Sequence, residues 1–238
     1  MKLSKRLETV ASMVTKGNRA ADVGCDHGFV PIFLVESGIS PLAVAADVRP
    51  GPLSRAKEHI KEYRLEEKIQ TRLSDGLANI KPGEADSLIM SGIGGILMMR
   101  LLQDEEHTAK SFKELILSPQ SELFDVRRYL VSNGYLIEYE HMLCDEGKYY
   151  FIFHVLVKKD EREWLEEEYR YGKDICKDDM KTFLAYLEKE ERQYEQILEK
   201  MKQAPENDRA VQRIAQLHQD ITCLKKRRQL VYDCGCFA

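Results

Sequence analysis

The stretch Ala20-Ala21-Asp22-Val23-Gly24-Cys25-Asp26-His27-Gly28 constrains this chain more than any other. An apolar run ends in an acid, a small-residue turn follows, and Phe29-Val30-Pro31-Ile32-Phe33-Leu34-Val35 then reads as the start of a helix. Strand, turn and helix in that order place glycines where the backbone must turn tightly and let a ligand come close. Asp47 stands 19 residues past Gly28, at the end of a second short apolar run, Leu42-Ala43-Val44-Ala45-Ala46. An acid at the tip of a second strand can accept both hydrogen bonds of a ribose diol. Together the two features predict a nucleoside-binding crevice at the carboxyl end of a parallel sheet.

The rest of residues 1–159 supports that fold. Short apolar runs at Arg19–Val23, Leu42–Asp47, Ile69–Leu73, Ser87–Met90 and Glu114–Leu117 read as strands. Amphipathic stretches at Phe29–Glu36, Pro50–Tyr63, Ile93–Gln103 and Ser121–Ser132 read as the helices between them. This alternation predicts an α/β, Rossmann-like sheet with helices on both faces. It then breaks: Leu136–Leu143 and Tyr149–Val157 are both strand-like, and the loop Cys144–Lys148 between them predicts a closing hairpin.

From Asp160 onward glycine and proline almost vanish. Met180, Leu184, Leu187, Glu191, Tyr194, Leu198 and Met201 follow a heptad seam, and Ile214, Leu217, Ile221, Leu224, Arg228 and Val231 repeat it after Ala204-Pro205-Glu206-Asn207. The pattern predicts an all-α coiled-coil hairpin over 160–238, preceded by a helix at Glu161–Tyr171, with Arg228 free to pair with an acid across the seam. Two domains are therefore expected: a ligand-binding domain at 1–159, which alone should keep its ligand affinity, and the helical hairpin at 160–238.

Charge and cysteine usage narrow the function classes. A net charge of −4 gives no global attraction to nucleic acid, so any such contact needs a local basic patch. No apolar run approaches a membrane span, and the first 17 residues lack a signal-peptide core. The six cysteines are scattered and fit reduced thiols in a cytoplasmic protein; Cys234-Gly235-Cys236 lacks a second ligand pair, so no metal is expected.

The Gly24/Gly28 turn departs from the dinucleotide pattern, because Asp26 holds the middle glycine position. An acid there repels a pyrophosphate and suits a cation, which points away from a nicotinamide cofactor and toward the sulfonium of S-adenosylmethionine. The plain alternative, an ordinary strand-to-helix turn, leaves the joint occurrence of Asp22, Gly24, Gly28 and Asp47 unexplained. Asp75-Gly76 follows the third strand, where a carboxylate can accept from an exocyclic adenine amine or can simply cap a turn. Ser91-Gly92-Ile93-Gly94-Gly95 follows the fourth strand, beside the point where the strand order reverses. Bare backbone there lets a flat ring lie close; a flexible connection is the bland reading.

The Asp22-to-Gly28 turn, Asp47, Asp75-Gly76, the Ser91-to-Gly95 loop and the terminal strand hairpin resemble a class I S-adenosylmethionine-dependent methyltransferase. The closer resemblance is to the bacterial tRNA adenine-N1 methyltransferases acting at position 22. It is carried by Ser4-Lys5-Arg6-Leu7, the Asp-His-Gly turn, the glycine loop, and Asn133-Gly134-Tyr135 with Gly147-Lys148-Tyr149-Tyr150. The resemblance implies a seven-stranded sheet whose last strand is antiparallel, S-adenosylmethionine as cofactor, tRNA as partner, and methyl transfer to N1 of adenosine. The Asn/Asp-Pro-Pro-aromatic loop of many amino-group methyltransferases is absent, which fits attack by a ring nitrogen.

The N1 lone pair can attack the sulfonium methyl directly, so orientation and desolvation supply much of the acceleration. Asp26 is the candidate catalytic group, placed to stabilise the charge gained by the base. His27 either joins it or serves as a structural hydrogen bonder. The expected cofactor set is thus Asp22, Gly24, Asp26, His27, Gly28, Asp47, Asp75, Gly76, Ser91 and Gly92. For RNA the basic candidates are Lys5, Arg6 and Arg49 near the crevice and Lys225, Lys226 and Arg227 on the last helix, where a solvated coiled-coil face is the alternative. Two rival functions remain at this stage: a small-molecule methyltransferase whose hairpin makes a homo-oligomer, and a non-catalytic adaptor.

Overall fold

A computed structural model describes residues 1–175, 177–202 and 208–233. Its seven strands are β1 (Ala20–Val23), β2 (Ala43–Asp47), β3 (Ile69–Leu73), β4 (Ser87–Ser91), β5 (Glu114–Ser118), β6 (Leu136–Asp145) and β7 (Lys148–Leu156). They form one sheet in the order β3-β2-β1-β4-β5-β7-β6. The first five are parallel, and β7 enters antiparallel between β5 and β6. Strand order reverses between β1 and β4, so the ligand-binding switch point lies beyond their carboxyl ends.

Alternation along the strands feeds two cores. Leu88, Met90, Leu115 and Leu117 face one side of the sheet, and Ile89 and Ile116 face the other. Helices α1 (Lys5–Ser12), α2 (Phe29–Glu36) and α3 (Pro50–Glu62) cover the isoleucine side through Val10, Ile32, Leu53 and Ile60. On the opposite side lie α4 (Gly95–Asp104), the short α5 (Glu106–Ala109) and α6 (Leu123–Ser132), packing through Met98, Leu102, Val126 and Leu130. Among the described residues no helix is long and apolar enough to cross a membrane.

Most boundaries fall within two residues of the sequence reading, and three differences change the local structure. The loop expected over 144–148 is a two-residue turn: Asp145 pairs with Lys148, and Glu146 and Gly147 both adopt positive φ (49° and 77°). That is the turn whose twist matches a right-handed hairpin. The helix expected from Ile93 starts at Gly95, which leaves Ile93 in the loop. The helix expected over 161–171 is only α7 (Glu166–Tyr171), because Asp160 folds the chain before it. Its carboxylate accepts from the backbone N–H, Nε and Nη2 of Arg162 and from Trp164 Nε1. Burial alone would raise that carboxyl; these donors outweigh it and hold it at about 2.

After a 3₁₀ turn at Lys177–Asp179 come two long helices, α8 (Met180–Lys202) and α9 (Asp208–Asp233). The two charged residues of the predicted seam meet: Arg228 Nη1 donates to Glu191 Oε2 at 2.5 Å. The turn read at 204–207 and the Cys234-Gly235-Cys236 tail lie outside the described residues. Phe183, Leu187, Leu224 and Val231 are buried in the same cluster as Leu115 and Phe153 of the sheet. The change of texture at residue 160 therefore runs through one continuous core, and a chain cut at 159 would expose that face to water.

Candidate active site

Every loop that leaves β1 to β5 at the carboxyl edge contributes to one cleft of about 450 Å³. From β1 and its loop come Asp22, Gly24, Cys25, Asp26 and His27; β2 ends in Asp47 and is followed by Arg49; β3 is followed by Ser74, Asp75 and Gly76; β4 ends in Ser91 and is followed by Gly92 and Ile93. The sequence-predicted cofactor residues are thus brought together, with one exception. Gly28 does not line the cleft. It caps α2 at φ 73°, and a Cβ there would stand 3.0 Å from the Ala56 Cβ. Its role is to let α2 start close against α3 in a left-handed conformation that only glycine adopts freely.

The β1 turn is fastened to β2. Gly24 and Cys25 both donate backbone N–H groups to the Ala46 carbonyl, at 2.9 and 3.0 Å. Asp26 sits at φ 49°, a region Asp tolerates better than most side chains, and its N–H donates to Asp47 Oδ2 at 3.3 Å. The other oxygen of Asp47 accepts from Arg49 N–H at 2.8 Å. Each carboxylate oxygen retains a second lone pair, so the buried Asp47 is held in a fixed orientation and can still accept a diol.

Asp22 is 4% exposed, and no hydrogen bond from the described residues reaches its carboxylate. Burial, and then the nearby Asp47 charge, push its pKa up to about 7, against the pull of Arg6. A buried acid beside a second acid, open to a cleft, is a site for a cation. Cys25 lies between these acids, and burial raises its thiol well above the ordinary range, so it serves as packing rather than as a nucleophile.

Asp26 lies on the rim: its carboxylate is 59% exposed, 3.6 Å from His27 Nε2 and 4.0 Å from Arg55 Nη2. The His27 ring stacks on Phe29 with centroids 5.4 Å apart, and the His27 carbonyl accepts from His59 Nδ1 at 3.0 Å. His27 is therefore a packed member of the rim wall, with one ring edge turned to Asp26.

Sequence reasoning missed several walls of the cleft. Val48, exposed by 56%, and Leu97 give it apolar surface. Gln120 enters after β5 and donates its N–H to the Ile93 carbonyl. Its position just past a strand end was the available signal. Gly76 is needed for packing as much as for access, since at φ 57° a Cβ would run into the Leu101 side chain.

The basic candidates divide. Lys5, Lys225 and Lys226 are exposed, and the Arg49 side chain is 70% exposed. Lys225 is 3.4 Å from Glu191. Arg227 does not belong to a solvated face: it is buried, its Nη2 donates to the Lys173 carbonyl at 3.0 Å, and its guanidinium lies over Phe183. Arg6 lies within the cleft itself. Among the described residues no cluster of His, Cys, Asp and Glu is placed to hold a metal.

Comparison with known proteins agrees with this geometry. The family described as a methyltransferase domain matches residues 3–153. The tRNA (adenine(22)-N(1))-methyltransferase of Bacillus subtilis (strain 168) is 29% identical over 232 residues, covering 95% of this chain and 97% of that protein. The crystal structure of the B. subtilis M1A22 tRNA methyltransferase TrmK superposes with a TM-score of 0.84, at 28% identity over 94% of this chain and 98% of that one. M. capricolum TrmK, solved with S-adenosylhomocysteine, gives 0.84 at 25% identity over 97% and 100%. Motifs, strand order and relatives agree, and the chain belongs to the bacterial tRNA (adenine-22-N1)-methyltransferases, a family of class I methyltransferases.

Proposed function

We propose that this chain transfers the methyl group of S-adenosylmethionine to N1 of adenosine 22 in tRNA. The observation that carries the reading is the acid-lined cleft at the switch point, where the buried Asp22 and Asp47 offer negative charge to a cationic nucleoside. The cofactor, when bound, supplies an electrophilic methyl on a sulfonium. The residues of this chain fit it: Asp22 toward an ammonium, Asp47 toward the ribose hydroxyls, Asp75 toward the adenine amine, and bare backbone at Gly24 and Gly92 beside them.

The N1 lone pair forms the new N–CH₃ bond as the S–CH₃ bond breaks, and the positive charge passes from sulfur to the base. No proton has to leave N1, so the chain's task is to align the base, exclude water and stabilise its charge. Asp26 is the proposed group for that last role, its carboxylate lying exposed on the rim of the cleft. Lys5, Arg49, Lys225 and Lys226 are the proposed phosphate contacts, with residues 160–238 as a second surface for an RNA much larger than the cleft. Work on tRNA would place the protein in the cytoplasm.

Three outcomes are expected. Asp47→Ala weakens S-adenosylmethionine binding by about 1.5–3 kcal/mol, the range for hydrogen bonds to a charged group, as titration calorimetry would read. With methyl-labelled cofactor and unmodified tRNA, label appears as N1-methyladenosine after digestion to nucleosides. Asp26→Asn lowers that turnover more than it lowers cofactor affinity. Label on a carbon or a ribose oxygen, or none in RNA, would favour a different acceptor.

A further inference from the structure

Gln120 lines the cleft but has no part in the cofactor set, nor in the charge stabilisation given to Asp26. Resting on the methyl-transfer reading, we propose that the side-chain amide of Gln120 reads the N6/N7 edge of the target adenine and so makes the reaction specific for that base.

The placement follows from strand order, which runs β3-β2-β1-β4-β5 along this part of the sheet. In the cofactor reading Asp75, Asp47 and Asp22 take the first three places, after β3, β2 and at the end of β1. Neighbouring strands lie about 4.8 Å apart, so the end of β5 stands about 10 Å beyond that of β1, on the side left for the acceptor base. Backbone bonds fix Gln120 there. Gly92 donates its N–H to the Ser118 carbonyl at 3.1 Å, and Gln120 donates its own to the Ile93 carbonyl at 2.9 Å. Gly95 adds a third link between the two loops, to Ser121 Oγ at 3.3 Å. Pro119 is buried, but Gln120 is exposed, and its amide nitrogen lies 3.6 Å from where a Cβ on Gly92 would stand. A side chain at that position would crowd the amide; the glycine, at φ 85°, leaves it open to the cleft. Among the described residues no hydrogen bond reaches this amide.

The chemistry of the reaction then selects the edge. N1 must face the methyl group, so it cannot carry the recognition. Beside it adenine offers the N6 amine, a donor, and N7, an acceptor. A side-chain amide holds one acceptor and a donor in a single plane, and it matches that edge with two hydrogen bonds. Guanine presents two acceptors there and a pyrimidine has no N7, so neither completes the pair. The amide is also neutral. It therefore does not oppose the positive charge that methylation puts on the base, as a cationic side chain in its place would.

The test uses the full chain, methyl-labelled S-adenosylmethionine and two tRNAs that carry either adenosine or 7-deazaadenosine at position 22. The analogue keeps N1 and N6 and replaces N7 with C–H. Its different intrinsic reactivity cancels when the ratio of kcat/KM on the two substrates is compared between wild type and variant. Gln120→Ala should lose about 10- to 100-fold on the adenosine substrate, the range for a bidentate base contact. The ratio of adenosine to 7-deazaadenosine should fall about five- to tenfold from its wild-type value, because one of the two bonds is already missing from the analogue. Gln120→Glu keeps an acceptor for N6 but sets an oxygen against N7, so it should lower the ratio further. Titration calorimetry should find S-adenosylmethionine affinity unchanged in both variants. Equal losses on the two substrates would mean that Gln120 only supports the loops, and would overturn the proposal. So would full activity of Gln120→Ala, or a loss of activity matched by a loss of cofactor affinity. If the wild type labels N1 of neither tRNA, the methyl-transfer reading fails and the proposal with it, a result seen before any variant is made.

Discussion

Arg127→Met is expected to destabilise the protein by about 3–5 kcal/mol, the cost of leaving one member of a buried ion pair without its partner. Arg127 and Glu140 are both fully buried. Arg127 Nη2 donates to Glu140 Oε2 at 2.7 Å, and Nε reaches both carboxylate oxygens at 3.1 and 3.2 Å. Nη1 donates to the carbonyls of Tyr169 and Arg170 at 3.1 and 2.9 Å, and the guanidinium lies over Phe151 and Phe153. One side chain from α6 thus holds β6, β7 and the end of α7. Gly172 closes the same knot at φ 92°, where a Cβ would stand 3.0 Å from Glu140 Oε1. Methionine keeps much of the volume but leaves a buried carboxylate unpaired, so urea unfolding should shift to a lower midpoint with little change in slope. Arg127→Met with Glu140→Leu should recover much of the loss, because it removes both charges together. An unchanged midpoint in the single variant would show that the pair does not hold the α7 segment to the sheet.

That knot explains why residue 160 looked like a domain boundary in the sequence and is not a break in the packing. The heptad spacing of Met180 to Met201 reports only that one face of a helix is apolar. It does not say that Phe183, off the seam, packs into the same core as the sheet, nor that Arg127 reaches the carbonyls of α7. The strands themselves were legible because β1, β2, β4 and β5 are buried over all or nearly all of their length and read as short apolar runs. Element ends were less legible where side chains set them. Asp160 delays α7 by hydrogen bonds to Arg162 and Trp164, and hydropathy is blind to these.

The cleft was legible for a related reason. Residues that must stand at strand ends, such as Asp22, Asp47, Asp75 and Ser91, are placed by the strands themselves. Arg6 and Gln120 were harder to assign, since their positions depend on how α1 and the β5 loop fold back over the edge. The basic run at 225–228 does not form one face, because one turn of a helix presents side chains in all directions. Lys226 faces water, while Arg227 enters the core and Arg228 pairs with Glu191.

Asp22→Asn is expected to stabilise the ligand-free protein and to remove most of its affinity for S-adenosylmethionine. The folded carboxyl titrates at about 7, because it is buried and faces Asp47, against 3.8 for the ordinary group. A folded state that holds its proton more tightly than the unfolded chain is most stable below the unfolded value. It loses that stability as pH rises through the folded one. The contribution of Asp22 to ligand-free stability is thus present below about pH 4 and gone above about pH 7. Asparagine carries no charge to penalise, so at pH 8 the variant should gain about 2–4 kcal/mol, less at pH 5. Binding runs the other way. An ammonium needs the carboxylate ionised, so wild-type affinity for S-adenosylmethionine should fall roughly tenfold from pH 8 to pH 6. Affinity for 5′-methylthioadenosine, which has no ammonium, should stay flat. Urea midpoints at pH 5 and 8, with calorimetry of both ligands from pH 6 to 8, read the two effects separately. If the variant gains nothing at pH 8 and wild-type affinity does not follow pH, Asp22 does not hold the ammonium. Opposite slopes would mean that the empty cleft is held at a cost in stability which the bound cation offsets.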